Sequence, residues 1–215
     1  MIVVVLSKWP EIYNNFLEKN KVSHTLIRSG KFIKPEGPWT QGIDPFIFPR
    51  NANIALRRFP DDDILLCNDD IEGLTNEGVE HLSTILNLEL NIGLVSPKVT
   101  GCSCSADQKL VHEPLFFTKS FLPFICTGTK RALIKDIGLF DEDFKDYGGE
   151  DVDYCIRAGK KGWRLALTNT VTIHHLGSKS FSKRYGSANM IAQGRKTVEQ
   201  VMAKHKDVEL TWQQQ

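Results

Sequence analysis

The sequence has no long hydrophobic run, no excess of one charge and no paired cysteine framework, and each absence excludes a class of protein. No apolar stretch approaches the ~18–20 residues that cross a bilayer as a helix, so no membrane span is expected. Among 215 residues, 27 Lys and Arg face 26 Asp and Glu, a net charge of +1. A chain that tracks nucleic acid carries a pronounced basic excess, so no nucleic-acid partner is expected. A local basic pocket for one phosphate group is compatible with +1. The 5 cysteines, at 67, 102, 104, 126 and 155, are odd in number and scattered. Cys102-Ser-Cys104 is too close for tetrahedral zinc and has no second pair. Free thiols in a reducing cytosol fit better, which gives a cytoplasmic expectation. A chain this long buries a core without disulfides or a structural metal. It forms one large domain, or one domain with a tail.

What is present is a series of short apolar runs with polar punctuation, at 2–6, 25–27, 64–67, 92–95, 164–167 and 171–173. Each is too short for a helix and most are β-branched, as buried strands are. The first stops at Ser7-Lys8-Trp9-Pro10 without a basic leader or a small-residue cleavage site, so it reads as a strand and not a signal peptide. Helical patterns lie between the runs. Residues 11–19 put Ile12, Phe16 and Leu17 on one face, and 75–90 repeat Val79, Leu82, Ile85, Leu86 and Leu90 behind a capping Thr75. Two more helices are expected at 130–137 and 151–161. The alternation predicts an α/β domain with a mostly parallel central sheet flanked by helices. Residues 30–48, rich in Pro and Gly, and 99–123, without a period, are expected to be long loops of the kind that cover sites. Residues 187–205 have a weak helical period (Met190, Ile191, Val198, Val201, Met202). They suggest a boundary between a domain at 1–186 and a helical extension at 187–215. The ending Glu209-Leu-Thr-Trp-Gln-Gln-Gln215 suggests a piece of a longer chain with a further domain.

Three clusters carry chemistry. In Asp61-Asp-Asp-Ile-Leu-Leu-Cys-Asn-Asp-Asp70 a strand runs straight into Asn68-Asp69-Asp70. Carboxylates at the C-terminal end of a strand sit in the crevice where open α/β sheets bind ligands. Two adjacent Asp repel, and a divalent cation that completes its shell with phosphate oxygens relieves the repulsion. A solvated acidic turn capping the next helix is the alternative. The second cluster, Tyr147-Gly-Gly-Glu-Asp-Val-Asp153, puts Glu150, Asp151 and Asp153 in the first turn of a helix. The dipole favours them there whatever they do. The glycines let one carboxylate face a pocket as a general base. The third is a strand ending in His174-His175, of which one can face the site. Imidazole suits Mn²⁺-like ions, and a purely structural pair is the alternative.

These clusters occur in a fixed order with Phe124-Ile-Cys-Thr-Gly128, Gly138-Leu-Phe-Asp-Glu-Asp-Phe144, Gly149-Glu-Asp-Val-Asp-Tyr-Cys-Ile-Arg-Ala158, Gly162-Trp-Arg-Leu165 and His174-His-Leu-Gly177. The series resembles family 2 glycosyltransferases of the GT-A fold, especially the rhamnosyltransferase-like branch. The resemblance runs from about residue 2 to 180 and is specific between 124 and 178. A fainter likeness is to the N-terminal domain of a large-DNA-virus glycosyltransferase that decorates capsid protein, which would place the chain in the host-cell cytosol.

The resemblance implies that Asn68-Asp69-Asp70 stands for the DxD-type motif. Asp70 is then the metal ligand, with Asp69 beside it facing metal or ribose. Asp151 becomes the catalytic base, with Glu150 as runner-up. His174 best fits the late histidine at metal or diphosphate, with His175 as the alternative. Ser7 would lie at the nucleotide base, and Thr127, Gly128 and Asp153 would line the acceptor side. The segment Arg50-Asn-Ala-Asn-Ile-Ala-Leu-Arg57-Arg58 resembles the helix before the metal strand, and Arg57 or Arg58 could donate to a phosphate, with a solvated basic face as the alternative. The family ends its second strand in an Asp that grips the base. Here that place reads Ile27-Arg28-Ser29-Gly30, which assigns Arg28 to the nucleotide and leaves UDP or dTDP open.

The expectation is therefore an inverting glycosyltransferase that uses Mn²⁺ or Mg²⁺. It would move a hexose or rhamnose from a UDP- or dTDP-sugar to a hydroxyl of a glycan or glycoprotein. Two alternatives use the same residues: a metal-dependent nucleotide-sugar hydrolase and a non-catalytic sugar-binding module.

Overall fold

The computed structural model describes residues 1–30, 37–101, 104–145, 148–177 and 187–207, with only the backbone for 187–195. Residues 31–36, Cys102, Tyr147, the side chains of Met190 and Ile191, and the ending from 208 lie outside them.

The first apolar run forms β1 (Ile2–Ser7), which lies parallel between β2 (Thr25–Arg28) and β4 (Ile64–Asn68). Its run is continuous because both faces are covered. Val3 and Val5 join one apolar cluster with Phe16, Leu65 and Leu82, while Val4 and Leu6 join another with Phe48, Leu56, Leu66 and Tyr154. Helices α1 (Pro10–Lys19) and α3 (Asn76–Leu86) supply the first cluster. Helices α2 (Phe48–Arg58), α5 (Arg131–Ile137) and α6 (Glu150–Lys160) supply the second. A short α4 (Ala106–Leu110) opens with a capping box between Ser105 and Gln108. Among the described residues, no helix is long and apolar enough to cross a membrane.

The sheet runs β3-β2-β1-β4-β8-β6-β9-β5, with β3 (Trp39–Gln41) on the edge and β7 (Phe116–Thr118) also paired to β9. It is parallel from β3 to β4. Then β8 (Cys126–Thr129) enters antiparallel between β4 and β6 (Ile92–Gly101), so the other half is mixed. Apolar patterning does not distinguish the two directions, because a strand buried on both faces looks the same either way.

Three boundaries differ from the sequence reading. Strand β6 continues to Gly101, well past residue 95, because a register shift at Pro97–Lys98 absorbs the proline. The 99–123 segment therefore holds the end of β6, α4 and β7, and is not one long loop. The runs at 164–167 and 171–173 are one strand, β9 (Arg164–His175), which crosses polar Thr168 and Asn169. Helix α3 stops at Leu86, which leaves Leu90 92% exposed. The last helix (Ser187–Lys204) packs on the body of the domain, where Val201 is fully buried against Phe144 and Val152.

Candidate active site

A cleft of about 370 Å³ opens where β1 and β4 end, bounded by the start of α6 and by the last helix. Asn68, Asp69 and Asp70, from the end of β4, and Glu150 and Asp151, from the start of α6, all line it. Both long segments flagged in the sequence contribute covers: Phe46 from one, and Ser105, Phe121 and Pro123 from the other. The aromatic lining by Phe46, Phe48, Phe121 and Phe124 has no sequence signal beyond its place in or beside those segments.

Asp69 and Asp70 form the tight connection from β4 to β5 (Ile71–Glu72). Strand β5 pairs antiparallel with the end of β9, matching Ile71 to His175 and Glu72 to His174. This register decides which histidine serves the cleft. His175 is buried, lines the cleft and places Nε2 3.1 Å from Asp70 Oδ1. His174 points to the other face, with Nδ1 3.1 Å from Thr100 Oγ1. The preference for His174 is thus corrected, since alternation along a strand turns adjacent side chains to opposite faces.

Ser7 is also placed differently. It is buried at the end of β1 and its hydroxyl donates to Asp69 Oδ2, so it orients a carboxylate. Burial and then the charge of Asp70 push the Asp69 carboxyl up to about 8, with the Ser7 hydrogen bond opposing them. A pair of carboxylates so poorly solvated is a natural seat for a divalent cation. Among the described residues no three His, Cys, Asp or Glu side chains form a ready-made metal group. A hard cation held by one or two carboxylates and completed by phosphate oxygens needs no such group. Asp69 and Asp70 fit this donor role, with His175 adjoining Asp70.

The turn before α6 is built by Gly148 and Gly149, with φ of 84° and 92°. At these angles a side chain is strained, and the turn delivers Glu150 and Asp151 as the first residues of α6. Burial pushes Asp151 up to about 6, offset by backbone N–H groups of Val152, Asp151 and Gly149. Glu150 is also pushed up, by burial and then by the charge of Asp151. Its Oε2 is buried and meets no hydrogen-bond donor among the described residues. The donors around Asp151 favour its ionised form, whereas Glu150 Oε2 lacks such a donor among the described residues.

Other expected residues lie elsewhere. Asp153 is fully buried, one turn into α6, and binds Arg157, Lys204 and His205 instead of facing an acceptor. Thr127 and Gly128 sit inside β8. Thr127 is fully buried, and a Cβ on Gly128 would come within 2.7 Å of Val95 Cγ1, so neither lines the cleft. Arg28 stacks 3.9 Å over the Trp39 ring at the sheet edge. Arg57 is exposed and lies 3.5 Å from Glu142. The Asn residues of α2 act structurally: Asn53 accepts from Phe140 N at 2.9 Å and donates to its carbonyl at 3.0 Å. Lys8, not singled out from sequence, lines the cleft and lies 3.1 Å from Asp44.

The fold that carries this arrangement is the GT-A fold. A mannosyltransferase from Pyrobaculum calidifontis, solved with GDP-Man and Mn²⁺, has a TM-score of 0.65 and 13% identity, over 97% of this chain and 64% of its own. GalNAc-T7, solved with UDP, GalNAc and Mn²⁺, has a TM-score of 0.61 and 10% identity, over 98% of this chain and 55% of its own. This chain thus spans less than two thirds of the length of either, and at these identities the likeness establishes the fold. No protein-family model and no curated protein sequence matches the chain.

Proposed function

We propose that the chain is a metal-dependent glycosyltransferase that moves a sugar from a nucleotide-diphosphate donor to a hydroxyl of a glycan or glycoprotein, with inversion. The observation that carries this reading is one cleft lined by two separate carboxylate groups, Asp69-Asp70 just after β4 and Glu150-Asp151 at the start of α6. In the two neighbours this fold accompanies nucleotide or nucleotide sugar together with Mn²⁺, which supports the same ligand class here.

Asp70 and Asp69 would hold Mn²⁺ or Mg²⁺, which when bound neutralises charge on the departing diphosphate. Ser7 fixes Asp69 through its hydroxyl, and His175 fixes Asp70. Asn68, which also lines the cleft, would hydrogen-bond the nucleotide. Asp151 takes the proton of the acceptor hydroxyl as that oxygen attacks the anomeric carbon from the face opposite the diphosphate. Glu150, whose carboxyl is pushed up by burial and the charge of Asp151, lies beside Asp151 at the same turn and would hydrogen-bond a sugar oxygen. The aromatic covers exclude water from the reacting atoms.

A panel of UDP-, dTDP- and GDP-sugars, assayed with Mn²⁺ for thermal shift and release of the nucleoside diphosphate, tests the reading. At least one donor is expected to raise the melting temperature only with the metal, and to turn over. No response from any donor would overturn it, and hydrolysis indifferent to every acceptor would point to a hydrolase.

A further inference from the structure

Asp153 is the most heavily engaged buried charge among the described residues. Its Oδ2 accepts from Arg157 Nε at 2.8 Å, and Oδ1 accepts from Lys204 Nζ at 2.7 Å and His205 Nε2 at 2.8 Å. Lys160 Nζ lies 3.3 Å from His205 Nδ1. An ammonium only donates, so Nδ1 accepts and the proton of His205 is on Nε2, aimed at Asp153. Arg157 also donates to the carbonyls of Ile137 at 2.7 Å and Leu139 at 2.9 Å, and Lys204 reaches Asp141 at 2.7 Å. One carboxylate thus joins three parts of the chain: α6, the 137–141 segment and the end of the last helix. Burial pushes the Asp153 carboxyl up, but Lys204, His205 and Arg157 outweigh it and hold the group below its ordinary range.

The other end of this connection reaches the cleft. Val201 is buried with Phe144 and Val152, and Thr197, Val198 and Val201 line the cleft beside Gly148 and Gly149. A Cβ on Gly149 would lie 3.1 Å from Thr197 Cβ, so the last helix rests directly on the turn that delivers Glu150 and Asp151. We propose that Asp153 is a positioning residue. It clamps the last helix in place as a wall of the cleft, and so holds the Gly148–Asp151 turn and shuts water out from that side. The division at residue 186 then separates two parts of one site. The effect on catalysis rests on the transferase reading; the effect on the turn does not.

Two measurements on the full chain test this, with Lys204→Met as the main variant, because it removes one cation while keeping a stem over the Phe144 ring and leaving Arg157 and His205 on Asp153. In hydrogen–deuterium exchange, amides of 196–204 and of 148–152 are both expected to exchange at least tenfold faster, with 2–7 and 64–68 unchanged. Faster exchange confined to 196–204, or none at all, would overturn the clamp. If Asp153→Asn folds, it should show the same pattern more strongly. In the second measurement, hydrolysis of the donor that turns over with Mn²⁺, without acceptor, is expected to rise at least threefold in Lys204→Met as water gains access. General damage to the fold would lower hydrolysis, and a fall or no change would overturn the water-excluding wall. If no donor turns over even with the native chain, the transferase reading fails, while the exchange result still decides the clamp.

Discussion

Asp69 and Asp151 are carboxyls taken out of water in different ways, and their chemistry follows from that difference. Asp69 is buried beside Asp70 and raised to about 8, whereas an unfolded Asp titrates near ~4. Between those values the folded state holds the extra proton, so without metal this site loses stability as pH rises from about 4 to about 8. Metal-free Asp69→Asn should therefore melt above the native chain at pH 8 and level with it near pH 4. Each kcal/mol recovered is worth about 2–4 °C in a domain of this size. A variant that melts lower at pH 8 would show that Asp69 is stabilised where it is. Metal should reverse the order, since its ligand is then present only in the native chain. Asp70→Ala should lose Mn²⁺-dependent UDP binding in calorimetry, and unchanged affinity would remove Asp70 from the metal site. Asp151, raised to about 6, must be ionised to accept a proton. The rate of transfer should thus be flat above pH 6 and fall about tenfold per unit below it. A profile unchanged down to pH 4.5 would exclude it as the base.

The elements place these groups through features of very different visibility in the sequence. The glycines before α6 were legible, since a Gly-Gly pair ahead of clustered acids signals a turn that side chains resist. At Gly149, φ is 92° and a Cβ would approach the Phe144 ring to 3.0 Å. Gly149→Ala should cost about 1–3 kcal/mol and lower turnover by displacing Glu150 and Asp151. A melting temperature unchanged within a degree would show that the turn accommodates a side chain. The strands β1 and β4 were legible because burial on both faces leaves no polar residue inside them. The choice between His174 and His175 was not, because it depends on the register of β5 on β9, some hundred residues apart in sequence. Nor was the role of Asp153. Its spacing to Arg157 is an ordinary helical i,i+4 pair, and nothing local shows that Lys204 and His205 fold back onto it.

Across the molecule, a net charge of +1 conceals a sharp separation. Asp69, Asp70, Glu150 and Asp151 come from two acidic stretches about eighty residues apart, and the sheet brings both to one cleft. The order of motifs along the chain was enough to anticipate the GT-A fold. It was not enough to place Thr127 and Gly128, whose small side chains suit a packed strand as well as a binding surface. The mixed direction of the sheet was hidden too, because β8 is buried as completely as its parallel neighbours. Under the proposed function the labour divides: Asp69 and Asp70 would bind the donor, and Glu150 and Asp151 would drive transfer. The most direct measurement is donor binding and transfer by Asp151→Asn with Mn²⁺, set against the native chain. Donor affinity within about threefold of native with transfer reduced at least a thousandfold is the expected result. Native transfer by Asp151→Asn would contradict the account.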